Sequence, residues 1–308
     1  MQHERIPVSD TRPVIAVIGA TGAQGGAVVR ALVDRGAFRV RAITRNPAAY
    51  SGPADEVMGA DLADTASMAA AFAGAHGVFA MSNFTDADLD EFTQGRHVVE
   101  AGAAAGVRHL VWATQPNVEA LSGGAFHVPH FTDKARVDDL VRAAGFDSFT
   151  FVIPPFYFEN FLNVLAPSPL PTGELGWVIP IPADARVIHA ASIEDLGAVV
   201  AGAFDKPDVV GHGTYLSSAA ALMSFDDFAA TLRSQGHDLA IAVVAPAVYA
   251  TFYPGADEME QMMSYWAAHT YLGPDGDAQI AAAREVSANA STDFATWSAV
   301  HMPAGQNA

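Results

Sequence analysis

A glycine-rich turn near the N-terminus has the spacing of a phosphate-binding loop. Residues 19–26 read Gly-Ala-Thr-Gly-Ala-Gln-Gly-Gly; they directly follow the apolar run Val14–Ile18 and precede a helical pattern. Glycines let the backbone approach a pyrophosphate closely, and the free N–H groups of a helix N-terminus attract its negative charge. We therefore predict a bound dinucleotide here, with a ligand-free turn as the alternative. The predicted contacts are Gly19, Thr21, Gly22, Gln24 and Gly25.

The end of the second apolar run bears on which dinucleotide is bound. NAD sites usually carry an acidic residue about 20 residues beyond the glycines, on the ribose 2′-OH. Residues 44–47 read Thr-Arg-Asn-Pro, with no acid. Because a guanidinium can pair with a 2′-phosphate and stack on adenine, Arg45 favours NADP(H), although an arginine there can also simply face solvent. Asp61 and Leu62 are expected to face the adenine, unless Asp61 instead caps the helix around Thr65.

The elements that must position these residues alternate regularly along the first half of the chain. Strands are predicted at 14–18, 38–44, around 57–58, 77–81, 108–113 and 148–153, with helices after the glycine turn and at about 88–105 and 128–144. Such alternation is typical of an α/β fold with a doubly wound parallel sheet, a Rossmann fold. The strand ends then meet at one edge of the sheet, where ligands bind.

The sequence changes character after Ile153. Two prolines, an aromatic cluster and a proline-rich stretch at 167–171 follow, and helical patterns dominate from residue 226 onward. We predict a Rossmann domain over 1–154, with 187–218 returning to it. A smaller, mainly helical lobe is predicted over 155–186 and 219–308.

Composition excludes several classes of function. The chain has 308 residues, 51% of them hydrophobic and 16% charged, and a net charge of −18. That is enough apolar material for a core, and the acidic balance argues against nucleic-acid binding. No apolar run approaches a membrane span, and no signal peptide is recognised, so we expect a cytoplasmic protein. The chain has no cysteine, and its eleven histidines show no His-x-x-x-His or His-Glu-x-x-His spacing, which argues against disulfides and metal sites.

The ordered set of motifs resembles the NmrA-like group of atypical short-chain dehydrogenases/reductases. The set consists of the glycine turn and of segments 44–47, 61–62, 105–111, 128–134, 156–160 and 193–197. The resemblance is continuous from Val14 to about Gly197 and weaker as far as Met302. It implies an NAD(P)-binding Rossmann domain that binds NADP(H) beside a small lobe, in a family that includes redox-sensing regulators and NADPH-dependent reductases of small quinones, enones or carbonyl compounds.

The resemblance also locates candidate catalytic residues. Where ordinary short-chain dehydrogenases carry Tyr-x-x-x-Lys and a preceding serine, this sequence has His130, Lys134 and Thr114. Positions 130 and 134 share a helix face, which Val137 and Val141 turn toward the sheet. Lys134 is predicted to hold the nicotinamide ribose, the alternative being a stem that snorkels at a domain edge. His130 can donate a proton near neutrality, but the nearby positive charge favours neutral imidazole, so a structural role is favoured for it.

Further residues are expected around the nicotinamide. Ser82 and Asn83 are predicted to border the ribose and Phe84 to cover the ring, while the resemblance implies backbone contacts from Pro154 and Phe156. An aromatic cleft for a flat substrate is predicted from Phe156, Tyr157, Trp177, Trp266 and Tyr271. The alternative is that these rings fill the core, and we favour that alternative for Trp177 and Trp266 taken singly.

Two functions remain open from the sequence. The leading one is an NADPH-dependent reductase of a small molecule bound in the cleft. The other is a non-catalytic NADP(H) sensor that acts through a protein partner. The missing tyrosine favours the sensor, whereas the expected aromatic cleft and the C-terminal lobe keep the reductase open. The sequence does not identify a substrate or an oligomeric state.

Overall fold

A seven-stranded parallel sheet organises the molecule. The computed structural model describes residues 10–84, 88–287 and 291–303. The strands are β1 (Val14–Ile18), β2 (Arg39–Thr44), β3 (Glu56–Gly59), β4 (Gly77–Ala80), β5 (His109–Ala113), β6 (Ser148–Val152), β7 (Phe156–Tyr157), β8 (Ser168–Pro169), β9 (Leu175–Ile179), β10 (Ile188–Ala191), β11 (His212–Leu216), β12 (Ala221–Met223) and β13 (Ala240–Val243). The sheet order is β3-β2-β1-β4-β5-β6-β11. This is the Rossmann order with a seventh strand added, so the predicted fold class is confirmed.

Helices cover both faces of the sheet. They are α1 (Ala23–Arg35), α2 (Thr65–Phe72), α3 (Glu91–Ala104), α4 (Val118–Leu121), α5 (Pro129–Ala143), α6 (Ile193–Asp205), α7 (Pro207–Val210), α8 (Phe225–Ser234), α9 (Pro246–Tyr249), α10 (Ala256–His269), α11 (Gly276–Val286) and α12 (Phe294–His301). The apolar faces of α1, α6 and α11 share one core with Ile15 and Val17 of β1. Those of α2, α3 and α5 share another with Ala16 and Ile18. Because alternate strand residues face opposite sides, one short strand serves both cores.

Two glycines allow helices to pack unusually close. A Cβ on Gly197 of α6 would lie 2.5 Å from the carbonyl oxygen of Ala27 in α1. A Cβ on Gly95 of α3 would lie 2.4 Å from a methyl carbon of Val137 in α5. The α3–α5 contact matters for function, because these two helices carry the polar groups described below.

The rest of the chain forms a third core beside the sheet. It contains two three-stranded sheets, β12-β10-β7 and β13-β9-β8, together with α8, α10 and α12. The sequence predicted the helical part but not these sheets, whose strands have only two to five residues. Helix α11 packs against strand β11 of the large sheet and against helix α6, which covers that sheet. The domain boundaries given above stay a prediction.

In the described ranges, no helix is both long enough and apolar enough to cross a bilayer.

Candidate functional site

The glycine turn closes tightly on itself. Gly19 has φ +67°, in the left-handed region that favours glycine, and its carbonyl oxygen accepts from the Gly22 N–H at 2.8 Å. A Cβ on Gly25 would lie 2.3 Å from that same oxygen, so any larger residue would force the turn open. The Ala20 N–H donates to the Ile43 carbonyl at 3.2 Å, which ties the turn to β2.

The N–H donors in the first turn of α1 make no hydrogen bond with the described residues, so they are free for a ligand. The N-cap residue of this helix, Gly22, has no side chain to cap it, and the first turn carries no acidic residue. Nearby, Gln24 Oε1 is buried and has no hydrogen-bond partner among the described residues. Free N–H groups at a positive helix end suit a diphosphate, so the turn fits the predicted dinucleotide.

A cavity of about 280 Å³ runs from this turn across the ends of the strands. Eight residues predicted to bind cofactor line it: Gly19, Thr21, Gly22, Arg45, Asp61, Leu62, Ser82 and Asn83. Sequence reasoning missed six others, mostly apolar: Ile18, Ile43, Thr44, Ala60, Met68 and Met81. Arg45 is exposed, and its guanidinium forms no ion pair with any residue the structure describes. Its charge is therefore available to a ligand.

Asp61 borders the cavity and does not cap α2. The N-cap of that helix is Asp64, whose carboxylate accepts from the N–H groups of Ala66 and Ser67. Asp61 accepts instead from the Ala63 N–H at 2.9 Å. The capping alternative for Asp61 is thus wrong.

Lys134 is held in a buried polar chain next to the cavity. Its ammonium pairs with the Glu91 carboxylate, which also accepts from the Ser82 hydroxyl at 2.9 Å. The side chains of Lys134 and Glu91 are only 12% and 6% exposed. Burial lowers the pKa of Lys134 to about 7, opposed by the Glu258 carboxylate. Glu91 Oε2 has no hydrogen-bond partner in the described part of the chain, so an acceptor is available beside the lysine.

The segment after β4 is clamped by a buried glutamine. The side chain of Gln94 accepts from the Asn83 N–H at 2.8 Å and donates to the carbonyls of Asn83 and Leu89. Phe84 follows and is 65% exposed, with its ring centroid 5.7 Å from that of His130. An exposed ring there suits the predicted covering of the nicotinamide, which stays a prediction.

His130 is paired with a carboxylate from the C-terminal part of the chain. Glu258 Oε1, on α10, lies 2.5 Å from His130 Nδ1 and accepts from the His130 backbone N–H at 3.1 Å. The hydrogen bond from His130 lowers the pKa of Glu258. His130 Nε2 makes no hydrogen bond with the described residues.

Thr114 is completely buried, and its hydroxyl donates to the Gln115 carbonyl at 3.4 Å. It lies beside a hydrogen-bond network around Asp138. Tyr215 donates to Asp138 Oδ2 at 2.7 Å, and Arg142 donates to the Tyr215 hydroxyl at 3.1 Å. Burial raises the pKa of Asp138 to about 7, while the hydroxyls of Tyr215 and Thr114 oppose the shift. The structure thus brings Thr114 to the end of β5 but encloses its side chain.

The predicted aromatic cleft is a packed core. Phe156, Trp177, Trp266 and Tyr271 are at most 6% exposed, and their neighbours include Phe161 and Phe228. The cleft interpretation is wrong for these four rings because each packs against another buried ring: Phe156 and Tyr271 against Trp266, and Trp177 against Phe161. The core alternative for Trp177 and Trp266 is confirmed. Tyr157 is half-buried, and its hydroxyl is fully enclosed.

The side chain of Pro154 is also buried, so Pro154 and Phe156 can contact a ligand only through their backbone. Sequence reasoning missed Glu91, Gln94 and Glu258, because each looks like an ordinary polar residue of a helix. In the described residues no cluster of three or more histidine or acidic side chains is arranged to hold a metal ion.

Comparison with known proteins agrees with this architecture. The model of the NmrA-like family matches residues 11–298. The NmrA-like family domain-containing oxidoreductase FrzB of a Cladobotryum species is 32% identical over 274 residues, covering 81% of each chain. The fold is similar to NmrA, described as a negative transcriptional regulator (TM-score 0.75, 22% identity, 89% and 91% coverage). It is also similar to Escherichia coli QOR2, an NADPH-dependent quinone oxidoreductase solved with NADPH (TM-score 0.73, 22% identity, 91% and 97% coverage). The chain belongs to the NmrA-like family, as its sequence predicted.

Proposed function

We propose that this protein is an NADPH-dependent reductase of a small quinone, enone or carbonyl compound. One observation carries the proposal: the cavity that starts at the uncapped glycine turn ends at Ser82, and Ser82 contacts the Glu91–Lys134 pair. A dinucleotide that follows this cavity has its diphosphate at α1 and its nicotinamide end beside α5. The similarity to QOR2, a quinone oxidoreductase, and to the oxidoreductase FrzB supports this assignment.

The chain's own groups fit each part of NADPH. The first-turn N–H groups of α1 bind the diphosphate, and the Arg45 guanidinium binds the 2′-phosphate. Lys134 donates to the nicotinamide ribose oxygens, while Glu91 Oε2 accepts from a ribose hydroxyl. The cofactor supplies a hydride. His130 lies one turn from Lys134, at the edge marked by Phe84, where it can donate the proton that completes the reduction.

Steady-state NADPH consumption tests this function. NADPH absorbance is followed with a panel of quinones, enones and aldehydes, first with the unaltered protein. We expect turnover with at least one class and no turnover after Lys134→Ala, since the ribose is then no longer held. Tight, redox-dependent NADP(H) binding without turnover on any compound would instead indicate the regulatory alternative.

A further inference from the structure

We infer that Glu258 is the positioning residue for His130: it fixes the protonated nitrogen of the imidazole and supplies the negative charge that lets His130 act as proton donor. This inference rests on the proposed reductase function. It assigns a role to a residue of α10 that lies 128 residues from its partner in sequence.

Glu258 holds both the ring and the backbone of His130. One carboxylate oxygen accepts from Nδ1 at 2.5 Å and from the backbone N–H at 3.1 Å. Helix α5 begins at Pro129, and its N-cap residue, Val128, provides no side-chain cap. Glu258, which lies on another helix, therefore caps the start of α5 in place of an N-cap side chain. Its negative charge suits the positive end of α5.

The pairing fixes which nitrogen carries the proton. A carboxylate can only accept hydrogen bonds, so Nδ1 must carry the hydrogen. Nε2 is then left for the substrate: it has a lone pair in neutral imidazole and a proton in imidazolium. An orienting carboxylate behind a catalytic histidine favours the imidazolium form without taking the proton itself.

The charges around His130 come from several elements. Lys134, on the next turn of α5, pairs with Glu91 of α3. His127, which precedes α5, pairs with Glu119 of α4 and lowers the pKa of Glu258 on α10. From the sequence, Lys134 and an oxidised nicotinamide ring both argued against a protonated His130. The Glu258 carboxylate adds an opposing negative charge directly at the imidazole, 2.5 Å from Nδ1.

The support behind Glu258 is rigid. Tyr265 and Trp266 of the same helix are buried in the lobe core, at 0% and 1% exposure. The Glu258 side chain itself is 31% exposed and that of His130 is 17% exposed. The pair therefore lies at the edge of the core, fixed from behind and open enough for proton exchange with water.

The reaction balances with this assignment. For a carbonyl substrate, the carbon gains the hydride of NADPH, the C–O π bond breaks and the oxygen takes the proton from Nε2. The cofactor leaves as NADP⁺, and water returns a proton to the imidazole.

Glu258→Gln tests the inference, with Asp257→Asn as the matched control. Asp257 is the exposed neighbour on α10, so its variant makes the same charge change without touching His130. For Glu258→Gln we expect kcat to fall about 10-fold with KM for NADPH nearly unchanged. The alkaline limb of the kcat profile moves to lower pH, because imidazolium loses its counter-charge. Asp257→Asn leaves both unchanged.

Nitrogen NMR of the histidine side chains tests the pairing independently of turnover. We expect hydrogen on Nδ1 of His130 in the unaltered protein and a mixture of tautomers in Glu258→Ala. Hydrogen on Nε2 alone, or an unmoved pH limb in Glu258→Gln, would overturn the inference. If the NMR result holds but no compound consumes NADPH, the reductase function fails, and with it the donor role, while the pairing stands.

Discussion

The glycine turn and the first two turns of α5 bracket the same site but are built in opposite ways. The turn uses contiguous backbone: Gly19, Gly22 and Gly25 contact one another within seven residues. On α5, Lys134 and His130 depend on Glu91 and Glu258, which are 43 and 128 residues away. Local sequence therefore suffices to define a phosphate-binding loop, whereas the chemistry of α5 depends on tertiary partners.

The two regions also differ in what they hold ready for a ligand. Within the ranges that the structure describes, the N–H donors at the start of α1 have no partner, so ligand binding there adds contacts without breaking any. On α5 the charges already neutralise each other. A ligand there has to share or rearrange ion pairs that are sheltered from water.

The largest effect is expected from breaking the buried pair on α5. Lys134→Met leaves the Glu91 carboxylate buried without its counter-charge and should lower the free energy of unfolding by about 3 to 5 kcal/mol. Lys134→Met combined with Glu91→Leu should recover most of the loss. The exposed pair Arg108–Asp147 is the control, since Arg108→Met should cost less than about 1 kcal/mol. Urea unfolding followed by tryptophan fluorescence measures each value.

The titration of Lys134 should make the stability of the unaltered protein depend on pH. Burial lowers the pKa of Lys134 to about 7 in the folded protein. Between that value and the unfolded pKa of about 10.4, the unfolded state binds more protons, so the free energy of unfolding should rise with pH. This rise should be absent when Lys134→Met is combined with Glu91→Leu, and urea unfolding at about pH 7 and pH 9 measures it. The same pH dependence in the two proteins would contradict a buried Lys134 that titrates.

A smaller effect, measured as a loss of NADPH binding, is expected from the turn. Gly25→Ala puts a Cβ 2.3 Å from the Gly19 carbonyl oxygen, and because both atoms belong to backbone the turn must open. NADPH affinity should fall about 100-fold, or about 2.7 kcal/mol, by calorimetry. In Gly26→Ala the nearest atom is the movable tip of Arg30 at 3.3 Å, and affinity should change less than 3-fold. Equal losses in the two variants would show that the turn is not the diphosphate site.

This contrast explains how much the sequence could predict. Strands β1, β2, β4, β5 and β6 were located to within about a residue at each end, and eight cavity residues were named, because apolar runs and glycine spacing are local signals. Glu91 looked like a routine acid in the first turn of a helix, and Glu258 like a surface residue in a methionine-rich one. Phe156 and Tyr271 suggested a cleft wall as much as a core, although the core was already favoured for Trp177 and Trp266. Only the packing of the chain distinguishes these cases.

The smallest effect is expected at Arg45, and it separates phosphate recognition from adenine stacking. Because the guanidinium is exposed and unpaired among the described residues, its removal breaks no internal contact. Arg45→Ala should therefore leave stability unchanged and weaken NADPH binding about 10-fold, or about 1.4 kcal/mol, the scale of a charge-assisted hydrogen bond in partial contact with water. NADH binding should change less than 2-fold, and the NADPH loss should shrink at high salt as the 2′-phosphate is screened. Arg108→Ala, at the amino-terminal end of β5 and thus at the opposite ends of the strands from the cavity, should alter neither affinity. An equal loss for both cofactors would mean that Arg45 stacks on the adenine and that the preference for NADP(H) arises elsewhere in the cavity.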